Sequence, residues 1–378
     1  MSAPPTVGVT PGRRANALRR SWSPRRGLLL AGIVALAIFF SVVTDDWLNV
    51  ANYTMIFAIA ALGLNVLSGY AGQVSLGIAF FMGIGAYTAA GLGSAPPTTP
   101  GGPLGLGLSF VIWLPAAGIA AALVGALVGP SALRLRGFYL GIVSLALIFI
   151  GQYLFKNARA LTGGPQGRSF PKPVIGGVSF ADAQGTLLGV LLSRNQLFFL
   201  LILIVLVLAA VFVANVARTR AGRAFQAVRD NEVGAAIIGV NLFEAKMGAF
   251  VLSSFLAGIS GALLASYTGY YIPDNWDLTL SIQFVAAIIV GGVASVWGSI
   301  FGAAFVFALP IIIDQFSLLP QSSTSQGLTG GDFNAIVYGV LIVAFLLFEP
   351  GGVVGLLRRG QARIRALTQR ASKGGAPA

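Results

Sequence analysis

An all-α integral membrane protein of about ten transmembrane helices is the fold class the chain predicts, on three observations. Apolar residues make up 56% of its 378 positions and charged residues only 9%, far from the balance of a water-soluble domain of that length. The apolar residues gather in runs long enough to cross ~30 Å of hydrocarbon at ~1.5 Å per residue. The cations gather outside those runs, in a basic head (Arg13, Arg14, Arg19, Arg20, Arg25, Arg26), a basic tail (residues 358–373) and one internal charged segment. Three parts follow: a cytoplasmic tail (1–26), a transmembrane domain (27–350) interrupted by a cytoplasmic segment (217–246), and a second cytoplasmic tail (351–378).

The runs are 27–43, 53–67, 74–92, 108–128, 138–155, 196–216, 247–269, 280–296, 298–316 and 333–348. With the basic head inside, Asp45 and Asp46 emerge outside, Arg134 and Arg136 return inside, segment 217–246 lies inside, and Asp274, Asp277 and Asp332 lie outside. Ten spans then return the basic tail to the cytoplasm. Residues 156–195 strain this scheme, because Lys156, Arg159, Arg168, Lys172 and Arg194 against Asp182 fall outside. The run 27–43 reads as a retained helix, since no small-x-small cleavage site precedes Asp45.

Composition excludes several functions. The net charge of +13 sits in the tails and short loops, as a positive-inside membrane protein requires, so nucleic acid is not a partner and the lipid bilayer is. No Cys or His is present, which rules out disulfides, Cys or His zinc sites and thiol or imidazole catalysis. Apart from Asp314 near the end of 298–316, the runs carry no ionisable residue of the kind used by proton relays, ion-driven pumps or intramembrane enzymes. No catalytic residue and no metal site is therefore expected.

Glycine is abundant, at 50 residues, and much of it serves close helix packing in lipid. Two clusters differ, Gly69-Tyr70-Ala71-Gly72-Gln73-Val74-Ser75-Leu76-Gly77 and Gly291-Gly292-Val293-Ala294-Ser295-Val296-Trp297-Gly298, because they would break a helix. Irregular backbone in a membrane is tolerated where it is buried in protein or lines a polar cavity. Helices restarting after such breaks point N–H groups into that cavity, where a carboxylate can be held. The clusters lie roughly five spans apart, the offset expected of halves related as an inverted repeat. Asn65, Ser68, Gln73, Ser75, Gly291 and Gly292 are the candidate path residues, with helix-to-helix hydrogen bonding the plainer role for the polar ones.

Segment 217–246 predicts two short helices divided at Asp230 and Asn231, with Asn231 as N-cap, Glu232 in the first turn and Gly239 as the stop. Such a pair suits a groove on a soluble protein; a basic loop lying on anionic lipid is the simpler alternative. The chain carries no phosphate-binding loop of its own, since none of Lys156, Lys172, Lys246 and Lys373 follows the required glycine.

Four separated motifs carry a resemblance. Gly63-Leu64-Asn65-Val66-Leu67-Ser68-Gly69-Tyr70-Ala71-Gly72-Gln73-Val74-Ser75-Leu76-Gly77 with Gly83-Ile84-Gly85-Ala86-Tyr87-Thr88 resembles the permeases of branched-chain amino-acid ABC importers. So do Leu133-Arg134-Leu135-Arg136-Gly137 with Leu161-Thr162-Gly163-Gly164, the segment Arg229 to Asn241, and Pro273, Ser281, Gly291, Gly292, Trp297, Gly298, Gly302 and Pro310. The length and the Leu-Arg-Leu-Arg-Gly motif are similar to the LivM-like subunit rather than its LivH-like partner. Departures fall at Ile78, Gln166, Ala294, Glu349 and Gly352.

The resemblance implies a type II ABC importer-like permease fold in a bacterial cytoplasmic membrane, with both termini cytoplasmic. It implies a second LivH-like permease, two cytoplasmic ABC ATPases that hydrolyse ATP, an extracytoplasmic solute-binding protein and a small amino-acid substrate. This chain would bind no cofactor. Arg229, Asp230, Asn231, Glu232, Ala235, Ala236 and Gly239 would couple to the ATPases, and Asp274, Trp276 and Asp277 are candidates for docking the binding protein. Related systems move urea or short amides, and an ion-coupled carrier or channel is the alternative of a different class.

Overall fold

A computed structural model of the chain describes residues 43–96, 102–132, 138–175, 178–181, 184–187, 190–315, 339–340 and 343. The first and tenth predicted spans, the Leu-Arg-Leu-Arg-Gly motif, both basic tails, Asp332, Glu349 and Gly352 thus lie outside the described residues or almost wholly so. The elements below all belong to the unit that begins at Asp45.

Helix α1 (Asp45–Leu64) continues through a π-helical stretch (Asn65–Tyr70), an extended segment follows, and α2 (Ile78–Gly93) leads by a loop to α3 (Phe110–Ala132) and α4 (Phe138–Asn157). A short α5 (Arg159–Thr162) precedes β1 (Arg168–Ser169) and the hairpins β2 (Val174–Ile175) with β3 (Val178–Ser179) and β4 (Gln184–Leu187) with β5 (Val190–Ser193). Then come α6 (Arg194–Arg218), α7 (Arg220–Asp230), α8 (Glu232–Ile237), α9 (Leu242–Thr268), β6 (Tyr270–Tyr271), α10 (Leu278–Gly291) and α11 (Val296–Gln315). Among the described residues, five helical runs are long and apolar enough to cross a membrane: Asp45–Tyr70, Phe110–Pro130, Leu140–Asn157, Arg194–Arg218 and Leu242–Thr268.

Several boundaries differ from the expected ones, for local reasons. Helix α1 starts eight residues before the apolar run at 53, because Asp45 and Asp46 in its first turn favour a helix N-terminus. Helix α2 starts at Ile78 rather than 74, leaving residues 72–77 non-helical after Gly72, whose φ is +68°. Helix α9 starts at Leu242 because Asn241 caps it, its Oδ1 accepting from the N–H groups of Phe243 at 3.1 Å and Glu244 at 3.2 Å. The α10–α11 break falls at residues 292–295, where Gly292 (φ +114°) and Ala294 (φ +58°) leave the helical region.

Helix α9 is the central strut, packed against α1, α2 and α3. Its small-residue face makes this possible: a Cβ on Gly85 of α2 would stand 2.1 Å from the Gly258 carbonyl, and one on Gly258 would stand 2.5 Å from Ala121 Cβ of α3. Three helices meet there at backbone distance, as small residues allow in lipid. Ser260 Oγ adds a hydrogen bond to the Ile56 carbonyl at 2.7 Å. Helices α6 and α11 flank α1, and α10 packs on α11.

Three of the five cations of residues 156–195 are engaged locally. Lys156 pairs with Asp274 at 2.5 Å, and Arg194 donates to the Tyr267 carbonyl while its guanidinium lies 5.6 Å from the Phe198 ring centre. Arg168, buried to 6% exposure, donates to three main-chain carbonyls, and burial lowers its pKa. The hydroxyl of Ser193 also bonds Asp45 at 2.9 Å, so this loop shares one end of the bundle with Asp45 and Asp274.

Candidate coupling and translocation site

Segment 217–246 leaves the opposite end of the bundle. Its two helices form where local chemistry dictates. Thr219 Oγ1 accepts from the Gly222 N–H at 3.3 Å to open α7, and Asn231, extended at φ −160°, accepts from the Gly234 N–H at 3.0 Å to open α8. Gly239 (φ +87°) closes α8, and the Val240 N–H returns to the Ala235 carbonyl at 2.9 Å.

Of the two alanines expected at the coupling contact, Ala236 is exposed and Ala235 is not. Ala235 is buried at 2% exposure and packs inward with Phe225 and Val228. Val233, Ile237 and Ile238 stand 69%, 80% and 74% exposed, beside exposed Ala236 and Gly239. A cluster of large apolar side chains on a polar segment marks an interaction surface.

Two contacts tie the segment to the bundle. Arg229 Nη1 donates to the Gly69 carbonyl at 2.8 Å, and Gly72 lies so close that a Cβ there would stand 2.9 Å from Arg229 Cγ. Glu232 pairs with Lys246 of α9 at 2.6 Å, with Lys246 only 8% exposed. Lys246, just outside the expected apolar run, was not singled out from sequence; a cation one turn into a span is the signal that could have found it. Asp230 is exposed.

The two glycine clusters meet at this same end. Asn65, 1% exposed, joins them: its Oδ1 accepts from the Ala294 N–H at 2.9 Å, and its Nδ2 donates to the Ser295 carbonyl at 2.9 Å and to Ser299 Oγ at 2.7 Å. Its amide is therefore engaged in joining the breaks, with no donor or acceptor turned toward cargo in this conformation. Gly291 and Gly292 serve the crossing of α10 and α11, where a Cβ on Gly291 would stand 1.9 Å from the Gly298 carbonyl.

The restarting helices do not present a set of bare N–H groups to a cavity as expected. Ser144 Oγ accepts from the Leu76 N–H at 2.8 Å, Ser75 Oγ from Gly77 at 3.3 Å, Ser281 Oγ from Ala79 at 3.2 Å, and Ser295 Oγ from Gly298 at 3.1 Å. Ser144 and Ser281, both buried, were not foreseen in this role because they lie 68 and 202 residues from their partners. Ser68 Oγ donates to the Gln73 carbonyl at 2.9 Å. Gln73 is the exception, 6% exposed with neither amide atom bonded to any described residue.

At the other end, Trp276 is 1% exposed and packed on Tyr271, so its ring offers no docking surface. Asp277 caps α10 through the Leu280 N–H at 2.9 Å, and Asp274 is the exposed member of the Lys156 pair.

Apolar membrane-crossing helices, two interlocked helix breaks and a tethered polar segment with an apolar crest describe a multi-pass membrane protein. The family model for the branched-chain amino acid transport system permease component matches residues 47–346, and the chain belongs to that family. It is 30% identical to the high-affinity branched-chain amino acid transport system permease protein LivM of Escherichia coli K12, over 88% of this chain and 76% of that protein. The LivM of Salmonella typhimurium LT2 gives 30% over 90% of this chain and 79% of its own length. The autoinducer 2 import system permease protein LsrC of Yersinia enterocolitica gives 25% over 86% and 82%. No solved structure matches the chain.

Proposed function

We propose that the chain is the LivM-like permease subunit of an ATP-driven importer of branched-chain amino acids. The reading rests chiefly on the 30% identity to two LivM proteins along nearly the whole chain. It would form half of the path beside a LivH-like permease, receive substrate from an extracytoplasmic binding protein, and take force from two cytoplasmic ATPases at Val233, Ala236, Ile237 and Ile238. Asp230 and Arg229 to Glu232 would sit at the edge of that contact. ATPase closure would push α8, and the Arg229–Gly69 and Glu232–Lys246 contacts would carry the movement into α1 and α9. A push of this kind shifts the permease only if one conformation binds the closed ATPases more tightly. Gln73 is the proposed cargo contact within the path, and Asp274 the proposed contact for the binding protein.

The test is reconstitution of the permease pair with its ATPases and binding protein in proteoliposomes. ATP-dependent leucine uptake is expected. Uptake of leucine on a sodium or voltage gradient without ATPases would sink the importer reading, and ATP-dependent uptake of urea or autoinducer 2 in place of leucine would correct the substrate alone.

A further inference from the structure

A cavity of about 570 Å³ opens between α2, the end of α4, α5 and residues 104–106, at the end of the bundle that carries Asp274. Its wall is largely carbon, from Ile84, Leu92, Leu104, Leu106, Leu154 and Phe155. The two threonine hydroxyls in that wall are directed to main chain, Thr88 to the Ile84 carbonyl at 2.7 Å and Thr162 to the Phe155 carbonyl at 2.5 Å. Tyr87 adds a third hydroxyl to the lining, buried and with no bonded partner among the described residues, and one such group in a wall otherwise of carbon leaves a space that suits hydrocarbon rather than a polar cargo.

The cavity is a built feature. Buried Arg168 donates to the carbonyls of Ala90 at 3.2 Å, Leu104 at 3.0 Å and Leu161 at 2.6 Å, so one guanidinium fixes three sides of the wall. Gly91 on its lining has nothing within 4 Å of where a Cβ would stand. The mouth runs into an exposed apolar band, with Leu104, Leu106 and Leu154 at 53%, 64% and 49% exposure and Ile150 and Tyr153 beside them. Arg159, in the helix that closes the cavity, is exposed and has no carboxylate partner among the described residues.

We propose that this cavity takes an acyl chain of an anionic bilayer phospholipid, with Arg159 facing its phosphate. Carbon walls open to the exposed apolar band account for the chain, and the exposed cation in the helix that lines the cavity accounts for the charge of the headgroup.

Native mass spectrometry of the full chain, in the complex it purifies with, tests this after equilibration with phosphatidylglycerol or phosphatidylcholine. Retained phosphatidylglycerol is expected, preferred several-fold over phosphatidylcholine. Gly91→Phe, which fills the cavity from a position with open space, removes it, and the same spectra report whether that variant keeps its partner subunits. Arg159→Gln, at an exposed site, keeps a retained lipid but brings the preference close to one. Undiminished lipid retention in an assembled Gly91→Phe complex, or an unchanged preference in Arg159→Gln, overturns the proposal.

Discussion

The guanidinium of Arg229 donates to the carbonyl of Gly69 across 160 residues of chain, at 2.8 Å, and so fastens the end of α7 to the first helix break. Asn65, four residues before Gly69 on the same helical run, binds the second break through Ala294, Ser295 and Ser299. The segment outside the bundle is thus one side chain from the first irregular region and two from the second.

Arg229→Gln shortens the donor and removes a charge-assisted bond of about 1.5–3 kcal/mol. The expected result is that ATPase subunits still co-purify while substrate transported per ATP falls about tenfold, with partial recovery in Arg229→Lys. Unchanged transport per ATP would show that the contact carries no movement.

Ala294 holds a positive φ of +58° that costs an L-residue about 1–2 kcal/mol. Ala294→Gly removes that cost, partly offset by the freedom glycine gains in the unfolded chain, so a net stabilisation of about 1 kcal/mol is expected. Thermal unfolding in detergent should show a raised midpoint.

Gln73 buries an amide with no bonded partner among the described residues, a cost of about 1–3 kcal/mol for each unsatisfied group. Gln73→Met keeps the volume and removes the polar atoms. Stability should rise while uptake falls at least tenfold, and a variant that gains stability without losing uptake would remove Gln73 from the path.

Glu232→Gln leaves the ammonium of Lys246, at 8% exposure, without its carboxylate. Loss of about 1–3 kcal/mol is expected, measured as a lower unfolding midpoint, with recovery in the double variant Glu232→Gln, Lys246→Met. Absence of recovery would mean that Glu232 acts outside this pair.

What could be read from the chain alone was what acts over a few residues. Asn231 and Gly239 bound α8 as expected, because a cap and a positive φ are local chemistry. The apolar runs located most helices, yet missed the first turns of α1 and α9, where polar residues such as Asp45 and Asn241 form helix without lengthening an apolar count. Trp276 was a docking candidate as part of an outer loop, whereas its burial depends on Tyr271 and on Gly83 leaving room beside it. The engagement of Asn65 was illegible for the same reason: its partners lie 229–234 residues away. The burial of Ala235 follows from α7 and α9, against which α8 packs.

The joints at Gly69, Ala294 and Ser295 are made to main-chain atoms, which substitutions other than to proline leave in place. Pairwise covariation between Arg229 and the first cluster, or between Asn65 and residues 294–295, should therefore be weak however strongly the contacts act. Constraint at these joints falls on Arg229, on Asn65 and on the glycines whose missing Cβ leaves room for them, such as Gly69 and Gly72.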